Sequence, residues 1–368
     1  MSECFMDFND AVIWQDEAWF FSNDFNGLYS VDLSSQEIKF RGQVPFEPQV
    51  EHHLYSSLVI WENKIYLVPS RAKKMAVYDM AAESFEQMDL IDKDEYQLFY
   101  GNFLYGSNLF LFHLFDATIL RIDLKSKEVT VIDEWLDKAL PYFFRKADAN
   151  FNYFRKQLVC RGGKIYIPFC YANAVLEIDC ESLRSNIHVI GSEEQGYAGI
   201  CEDGEDLWLA PKQRNGAVVR WNPQTGHKDV FPCNDDSNAL AYIGIAKEHG
   251  QIFLYSGVEL QKFPHSPSFK IKPNQYRFVS VSERYTLARN IGKGTLVIYD
   301  KLTDKETEIV ISIEYKNTPL IYEFEEKIVN ESQMQGLSRL LDAVALENRD
   351  RKGPDIKIGE SIYRAIIN

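Results

Sequence analysis

Apolar and polar residues alternate along this chain in a unit that occurs seven times. Each unit contains a short strand built around an aromatic residue, as in Ile65–Val68 and Leu207–Ala210. After a polar loop comes another apolar strand, which ends in an Asp or Asn in every unit except the sixth. The residues at this position are Asp32, Asp79, Asp123, Asp179, Asn222 and Asp300. Short apolar runs bounded by turn residues predict several β-strands in each unit.

The repeat has the length of a propeller blade. Asp32 and Asp300 are six units apart, which gives a period of about 45 residues. We therefore predict an all-β fold, a seven-bladed β-propeller of four-stranded antiparallel blades over residues 1–313. In each blade an inner strand, the aromatic strand, the Asp-ended strand and a more polar outer strand should follow one another. The recurring Asp is interpreted as structural, since Asx side chains bond the backbone ahead of them in turns.

Two segments do not fit the repeat. A helical insertion is predicted at about residues 133–155, between the third and fourth blades. The second segment is a C-terminal extension, residues 314–368, whose main helix should begin near Asn330 with Gln333 completing a capping box. At helical spacing, this helix would bury Leu337, Leu340, Leu341 and Val344. It either docks on the propeller wall or binds a partner or a second copy.

Composition narrows the classes of function. The net charge of −14 argues against broad nucleic-acid binding, which needs a basic surface. The sequence has no apolar run long enough to span a membrane, so no membrane partner is expected. Because the start lacks the features of a signal peptide, we expect a cytoplasmic protein. The six cysteines lack metal-binding spacing and are interpreted as reduced structural thiols.

Individual units resemble blades of known propeller families. The segment Asp203–Leu209, followed by Gly216–Gly226, resembles a blade of the virginiamycin B lyase type. Met75–Asp79 and Gly294–Asp300 are equally similar to kelch or quinoprotein-type blades. These motifs build blades and carry no activity with them. The kelch double glycine is absent from the second strands, and no family's catalytic residues match positions here.

Function is therefore sought in the loops at one end of the propeller. Loops between the second and third strands, and connections from an outer strand to the next inner strand, should emerge on the same face. The ligand-binding candidates on this face are Arg71, Lys73, Tyr171, Lys212, Arg214, Tyr242, Arg277 and Arg289. Asp10 and Arg155 also fall on it without an assigned role. Guanidinium groups and aromatic rings suit an anionic ligand, although charged loop residues can also be merely solvated.

Motifs for catalysis are sparse. The sequence contains no P-loop, dinucleotide fingerprint, nucleophile elbow or zinc-binding helix, and no cofactor is expected. The candidates for catalysis are His52, His53 and His113. Only one of the adjacent pair His52 and His53 should face the channel, because neighbouring strand residues point to opposite faces. A histidine there would act as a general base or join His113 on a metal, but ordinary loop histidines are favoured, and no metal site is assigned.

Two functions remain open. The favoured one is a binding or interaction module that holds an anionic small molecule, a peptide or a protein partner on the loop face, with a protein partner also possible through the C-terminal extension. The alternative is a lyase, hydrolase or isomerase on a small anionic substrate, with a channel-mouth histidine as base and Arg or Lys as charge clamps. Convergence of His and Arg side chains would favour the enzyme.

Overall fold

The structure is a computed structural model of the 368-residue chain. It describes residues 3–5, 8–23, 26–48, 51–91, 97–146, 151–213, 215–233, 242–248, 251–255, 260–263, 276–281, 284–290, 295–300 and 302–314. Two compact units are present, Phe5–Ser312 and a second unit that combines Met1–Cys4 with Ile313–Asn368. The helix expected to begin near Asn330, and the rest of the extension after residue 314, lie outside the described residues.

Antiparallel sheets follow one another along the larger unit. Sheet 1 contains β2–β5: Phe8–Trp14, Glu17–Ser22, Leu28–Asp32 and Ile38–Gly42. Sheet 2 contains β6–β9: Tyr55–Trp61, Lys64–Pro69, Met75–Asp79 and Ser84–Met88. Sheet 3 contains β10–β13: Phe99–Tyr105, Asn108–His113, Ile119–Asp123 and Val129–Ile132. Sheet 4 contains β14–β17: Val159–Arg161, Lys164–Pro168, Ala174–Asp179 and Ser185–Val189.

The remaining strands continue this order. Sheet 5 contains β18–β21: Tyr197–Asp203, Asp206–Pro211, Ala217–Trp221 and Lys228–Pro232. Sheet 6 has three described strands, β22–β24: Gly244–Glu248, Gln251–Tyr255 and Leu260–Phe263. Sheet 7 contains β25–β28: Tyr276–Val281, Tyr285–Asn290, Thr295–Asp300 and Lys305–Val310. A separate two-stranded sheet pairs β1 (Glu3–Phe5) with β29 (Ser312–Glu314).

The expectation of an all-β fold built from antiparallel sheets is confirmed. Each sheet pairs its strands in chain order, as short turns between antiparallel neighbours require. First strands of neighbouring sheets lie side by side: β2 contacts β6, β6 contacts β10, and β18 contacts β22. The first strand of sheet 1 also contacts β25 of sheet 7. Because neighbours cover both of their faces, the second strands are almost fully buried, and Ile65 and Leu67 are 0% exposed.

The recurring Asp is a turn residue, as interpreted from the sequence. In sheet 2, Oδ1 of Asp79 accepts the backbone N–H groups of Ala81 and Ala82, both at 3.0 Å. These hydrogen bonds hold the pKa of the Asp79 carboxyl below its usual range. Asn222 makes the same two contacts in sheet 5, to the N–H groups of Gln224 and Thr225. An amide therefore serves as well as a carboxylate, which excludes a shared acid–base role for these positions.

A backbone hydrogen bond recurs at one end of sheets 2–5. A residue one or two positions after the second strand donates its N–H to a carbonyl oxygen in the connection that enters the same sheet, and the residue that follows this carbonyl is aromatic. The four pairs are Ser70 to Leu54 (2.8 Å), Leu114 to Leu98 (2.9 Å), Cys170 to Tyr153 (3.0 Å) and Lys212 to Gly196 (2.8 Å). The aromatic residues that follow are buried: Tyr55, Phe99, Phe154 and Tyr197. We call this end of sheets 2–5 the loop face.

The connection between sheets 3 and 4 is less helical than expected. Its described residues contain one short helix, α1 (Trp135–Ala139), and one 3-10 turn, Leu140–Tyr142. Phe143 is already extended and forms a β-bridge with Ala172. The Phe143 ring packs edge-on against those of Phe151, Tyr153 and Phe169, which explains why the helix does not continue through it.

Gly196 gives a direct test of the hydrogen-bond ladder. A methyl group at Gly196 would overlap the Cys170 carbonyl oxygen, whereas one at Gly101 would make ordinary contacts with Phe112. We expect Gly196→Ala to lower the free energy of unfolding by about 2 kcal/mol or more, because overpacking displaces backbone. Gly101→Ala, the matched control in sheet 3, should lie within about 1 kcal/mol of wild type. Urea unfolding measures both, and equal values for the two variants would contradict this packing.

Candidate functional site

The loop face brings together the two kinds of loop expected to share one end. His53 N–H donates to the Asn23 carbonyl of the neighbouring sheet at 2.8 Å, and Leu98 N–H donates likewise to Ser70. In the same way, Tyr197 N–H donates to Phe169 at 2.8 Å. Connections into the first strands are thus fixed against the loops that follow the second strands. Side chains from several sheets are held close together by this arrangement.

Arg71 and Lys73 line a cleft of about 390 Å³ beside sheet 2. Its positive charges face acids of the same chain. Arg71 Nη1 lies 3.5 Å from Glu51 Oε1, and Lys74 Nζ lies 2.9 Å from Asp89 Oδ1. Burial raises the pKa of Glu47, while the backbone N–H groups of Lys73 and Lys74 and the charge of Lys73 lower it. The cations in this cleft are therefore largely neutralised.

Tyr171 and Lys212 meet on the loop face between sheets 4 and 5. The Lys212 ammonium lies 3.4 Å from the centroid of the Tyr171 ring. Arg145, from the connection that contains α1, lies 4.8 Å from the same centroid and donates to the Tyr171 hydroxyl at 2.9 Å. Phe151 packs against the ring with centroids 4.8 Å apart. Two cations thus contact one aromatic ring. Each is attracted to the ring electrons, although the two positive charges repel one another.

Arg155 lies on the same face, in the connection that enters sheet 4. Burial raises the pKa of the Cys170 thiol, whereas the charges of Arg155 and Lys212 and a hydrogen bond from Arg155 lower it. Nε of Arg155 is buried and has no hydrogen-bond partner in the described part of the chain. Among the described residues, neither Arg155 nor Lys212 has a carboxylate at salt-bridge distance. In this respect these two cations differ from Arg71 and Lys74 of the cleft beside sheet 2.

Lys156 extends the positive region towards the first strands. Its ammonium lies 4.7 Å from the centroid of the Tyr100 ring, and its charge acts on the Asp10 carboxyl of sheet 1. Oδ2 of Asp10 accepts the N–H of Leu58 from sheet 2 at 3.3 Å. Burial raises the pKa of Asp10 to about 6, against the opposing effect of Lys156. The Asp10 carboxyl thus lies against the backbone of sheet 2 and within reach of the charge of Lys156, which precedes sheet 4.

Among the described residues, no hydrogen bond or ion pair joins any two of the three candidate histidines. Nδ1 of His113 accepts the N–H groups of Phe115 at 3.2 Å and Asp116 at 2.9 Å. Nδ1 therefore carries no proton, and the 3.3 Å contact with the Asp116 carboxylate is not an ion pair. Nδ1 of His53 lies 3.4 Å from the amide nitrogen of Asn9. His52 is half-buried in the preceding turn.

The other ligand-binding candidates lie elsewhere. Tyr242 is only 2% exposed and packs in a hydrophobic cluster with Trp208 and Ile252. Arg277 and Arg289 stand opposite each other in the register of β25 and β26. Arg214 lies outside the described residues. Lys156 was missed, and Asp10 and Arg155 had no assigned role, because a single charged residue beside a strand carries no distinctive sequence signal.

A second polar cleft of about 430 Å³ lies between sheet 4 and the turn after β20. On its floor, Glu177 is 9% exposed and contacts Lys164 at 2.7 Å and His188 at 2.8 Å. Burial by itself would raise the pKa of Glu177, but the hydrogen bonds from Lys164 and His188 outweigh it and lower the pKa. The acid is thus satisfied by its neighbours, as expected for a buried ion-pair network.

Metal and membrane sites were also considered. Within the described ranges, no group of three or more His, Cys, Asp or Glu residues could hold a metal ion. No helix in the described part of the chain is long and apolar enough to cross a membrane.

Comparison with known proteins supports the fold. No protein-family model matches the chain, and no curated protein matches it by sequence. A similar structure is the extracellular domain of the putative hybrid two component system BT4673 from B. thetaiotaomicron, with a TM-score of 0.51 and 15% identity over 83% of this chain. The match spans only 38% of that protein.

Two further structures have the same level of similarity. One is KlHsv2 with loop 6CD replaced by a Gly-Ser linker, with a TM-score of 0.51 and 9% identity, covering 83% of this chain and 97% of that one. The other is a chain of the Mitotic Checkpoint Complex, with a TM-score of 0.51 and 11% identity, covering 82% and 87%. With the consecutive four-stranded sheets, these likenesses show a propeller-like β fold. They do not single out the virginiamycin B lyase, kelch or quinoprotein classes.

Asp10 makes a testable contribution to stability. Its folded pKa of about 6 lies above the ordinary value of 3.8, so the folded state binds this proton more tightly than the unfolded state. The carboxyl therefore destabilises the fold above about pH 6, and this effect fades as the pH falls towards 3.8. We expect Asp10→Asn to raise the free energy of unfolding by about 1–3 kcal/mol at pH 8 and to change it little at pH 4.

Urea unfolding across that pH range measures this difference. Asp89→Asn is the control, since the Asp89 side chain is 78% exposed. A gain for Asp10→Asn that is the same at both pH values would show that the carboxyl is not the cause.

Proposed function

We propose that this protein is a binding module whose loop face holds an anionic ligand between sheets 4 and 5. The observation that carries the proposal is that Lys212 and Arg145 lie over the Tyr171 ring while Nε of Arg155 is buried without a hydrogen-bond partner in the described part of the chain. Neither Arg155 nor Lys212 has a carboxylate at salt-bridge distance among the described residues. A site that binds a carboxylate or a phosphate needs cations of this kind. A guanidinium that already pairs with an acid of its own chain has fewer N–H groups free to bind the ligand. Tyr171, held by Lys212 and Arg145, would border the ligand.

The ligand class is an oxyanion, a carboxylate or a phosphate, carried by a small molecule or by a peptide. Lys156 and Asp10 would lie at the inner end of the site, where the ammonium faces the acid. The cleft with Arg71 and Lys73 is a weaker candidate, because Glu51 and Asp89 already balance its cations. Catalysis by histidine is less favoured than binding, because Nδ1 of His113 is committed to two backbone N–H groups.

The binding site can be tested with simple anions. We expect inorganic phosphate or citrate to bind the wild-type protein in isothermal titration calorimetry. Arg155→Ala and Lys212→Ala should each weaken that affinity about tenfold or more, the loss expected for one charge-assisted hydrogen bond. Lys125→Ala is the matched control, because Lys125 is an exposed cation in the turn that follows Asp123.

Two outcomes would contradict the proposed site. One is equal affinity in wild type and both site variants. The other is an equal loss in Lys125→Ala, which would indicate general charge attraction. Thermal unfolding of each variant establishes that it is folded before binding is compared.

The finer architecture belongs to the same proposal. We infer that the seven sheets are seven blades of one closed propeller over residues 1–313, with an insertion between blades 3 and 4. Contacts of β2 with both β6 and β25 support a closed ring. Residues 314–368 would form an extension that docks on the propeller or recruits a protein partner. Limited trypsin digestion should leave a stable core that ends near residue 313, and cleavage inside the sheets instead would oppose this division.

A cytoplasmic location also remains a proposal. Cys160, Cys170, Cys180 and Cys201 form no disulfide among the described residues, which suits a reducing compartment. Fractionation of the native host is the test: recovery of the protein outside the cytosol would reject it.

A further inference from the structure

Asparagine precedes glycine at two places in the sequence, Asn26–Gly27 and Asn215–Gly216. Glycine has no Cβ, so its backbone nitrogen can approach the side chain of the preceding asparagine closely. That approach is the first step of asparagine deamidation. The structure places the two Asn–Gly pairs in opposite environments.

The amide of Asn26 is held on all sides. Asn26 is 1% exposed, and its Nδ2 donates to the carbonyl oxygens of Val44 at 2.9 Å and Glu47 at 3.2 Å. Its Oδ1 accepts the N–H of Val44 at 2.9 Å. The side chain would have to break all three hydrogen bonds before it could turn towards the Gly27 nitrogen.

The amide of Asn215 is not held in this way. Asn215 is exposed in the loop between β19 and β20, and its side chain makes no hydrogen bond to a described residue. Gly216 N–H donates to the Gln213 carbonyl at 3.0 Å within the same loop. After Gly216 the chain is anchored, because the Gln195 side chain binds the N–H of Ala217 at 2.7 Å and its carbonyl at 2.9 Å.

We propose that Asn215 is a modification site, at which the Asn215–Gly216 pair deamidates and adds a negative charge to the loop that carries Lys212. The Gly216 nitrogen attacks Cγ of Asn215 and loses its proton, and ammonia leaves to give a cyclic succinimide. Water then adds to either ring carbonyl and breaks its bond to the nitrogen, which leaves aspartate or isoaspartate. Overall, one water is consumed and one ammonia is released.

The fold sets the relative rates at the two pairs. The hydrogen bond from Gly216 to Gln213 has to open before the ring closes, so conversion of Asn215 should be slower in the folded protein than in the unfolded chain. It should be faster at high pH, because the attacking nitrogen has to lose its proton. Asn26 should be protected until the protein unfolds.

The effect on ligand binding rests on the proposed anion site. Lys212 and Asn215 are three residues apart, so their Cα atoms lie within about 11 Å of one another, which is about one Debye length at physiological salt. A new carboxylate there would compete with an anionic ligand for Lys212. Isoaspartate also lengthens the backbone by one carbon, and residues 212–216 must absorb this change because Ala217 is anchored.

The test incubates the full-length protein at pH 7 and pH 9 and follows its tryptic peptides by mass spectrometry. Trypsin releases residues 215–220, which contain one side-chain amide, and residues 1–39, which contain Asn26. We expect the shorter peptide to gain about 1 Da, faster at pH 9, while Asn26 remains unchanged. In urea, both asparagines should convert.

Matched variants complete the test. Asn215→Gln should prevent the mass change, because its side chain is one carbon too long to form the same ring. Asn215→Asp carries the charge of the product and should weaken the binding of inorganic phosphate about two- to fivefold in calorimetry. Asn63→Asp is the control, since Asn63 is exposed in the turn between β6 and β7, at the other end of sheet 2 from the loop face. It should leave the affinity unchanged.

The outcomes separate this inference from the anion site. The modification site is overturned if residues 215–220 keep their mass in the folded protein while the urea-unfolded chain converts, or if folded Asn26 converts as fast as Asn215. Equal phosphate affinity in wild type and Asn215→Asp would overturn the effect on Lys212. A wild-type protein that binds no phosphate would contradict the anion site, and the peptide masses would still decide the modification.

Discussion

The backbone hydrogen bonds of the loop face are the constraint on which the rest depends. Each one joins the end of a second strand to the connection that enters the same sheet, at the equivalent position in sheets 2, 3, 4 and 5. The residue that donates differs in chemistry from sheet to sheet: Ser70, Leu114, Cys170 and Lys212. Backbone geometry is thus constant while the side chains vary, as is usual where a rigid scaffold positions functional loops.

Charge pairing decides which part of this face is suited to a ligand. In the cleft beside sheet 2, Arg71 and Lys74 are close to Glu51 and Asp89. Between sheets 4 and 5, Arg155 and Lys212 approach a thiol and an aromatic ring instead. A cation that has no acidic neighbour keeps its hydrogen-bonding capacity for an anion from outside the chain. The net charge of −14 makes this local positive region more distinctive.

The architecture was largely readable from the sequence because it repeats. The aromatic strands, the Asp turns and the shared end of two loop types all follow from local pattern and chain direction. The ion pairs between side chains could not be predicted from the sequence, because residues such as Arg71 and Glu51 come close together only in the folded chain. Tyr242 illustrates the same limit: it occupies a loop-face position by sequence, yet its ring packs beneath Trp208 and Ile252. In the described part of the insertion between sheets 3 and 4, the helical residues end before Phe143, whose backbone is extended and whose ring packs against Phe169.

The most direct test of the anion site is a crystal structure of the protein soaked in selenate, located by the anomalous scattering of selenium. We expect one ordered selenate within hydrogen-bond distance of Arg155 and Lys212, beside the Tyr171 ring. The same map tests whether the seven sheets close into one propeller. An ordered selenate only at other cations, with Arg155 and Lys212 left without it, would contradict the proposed site.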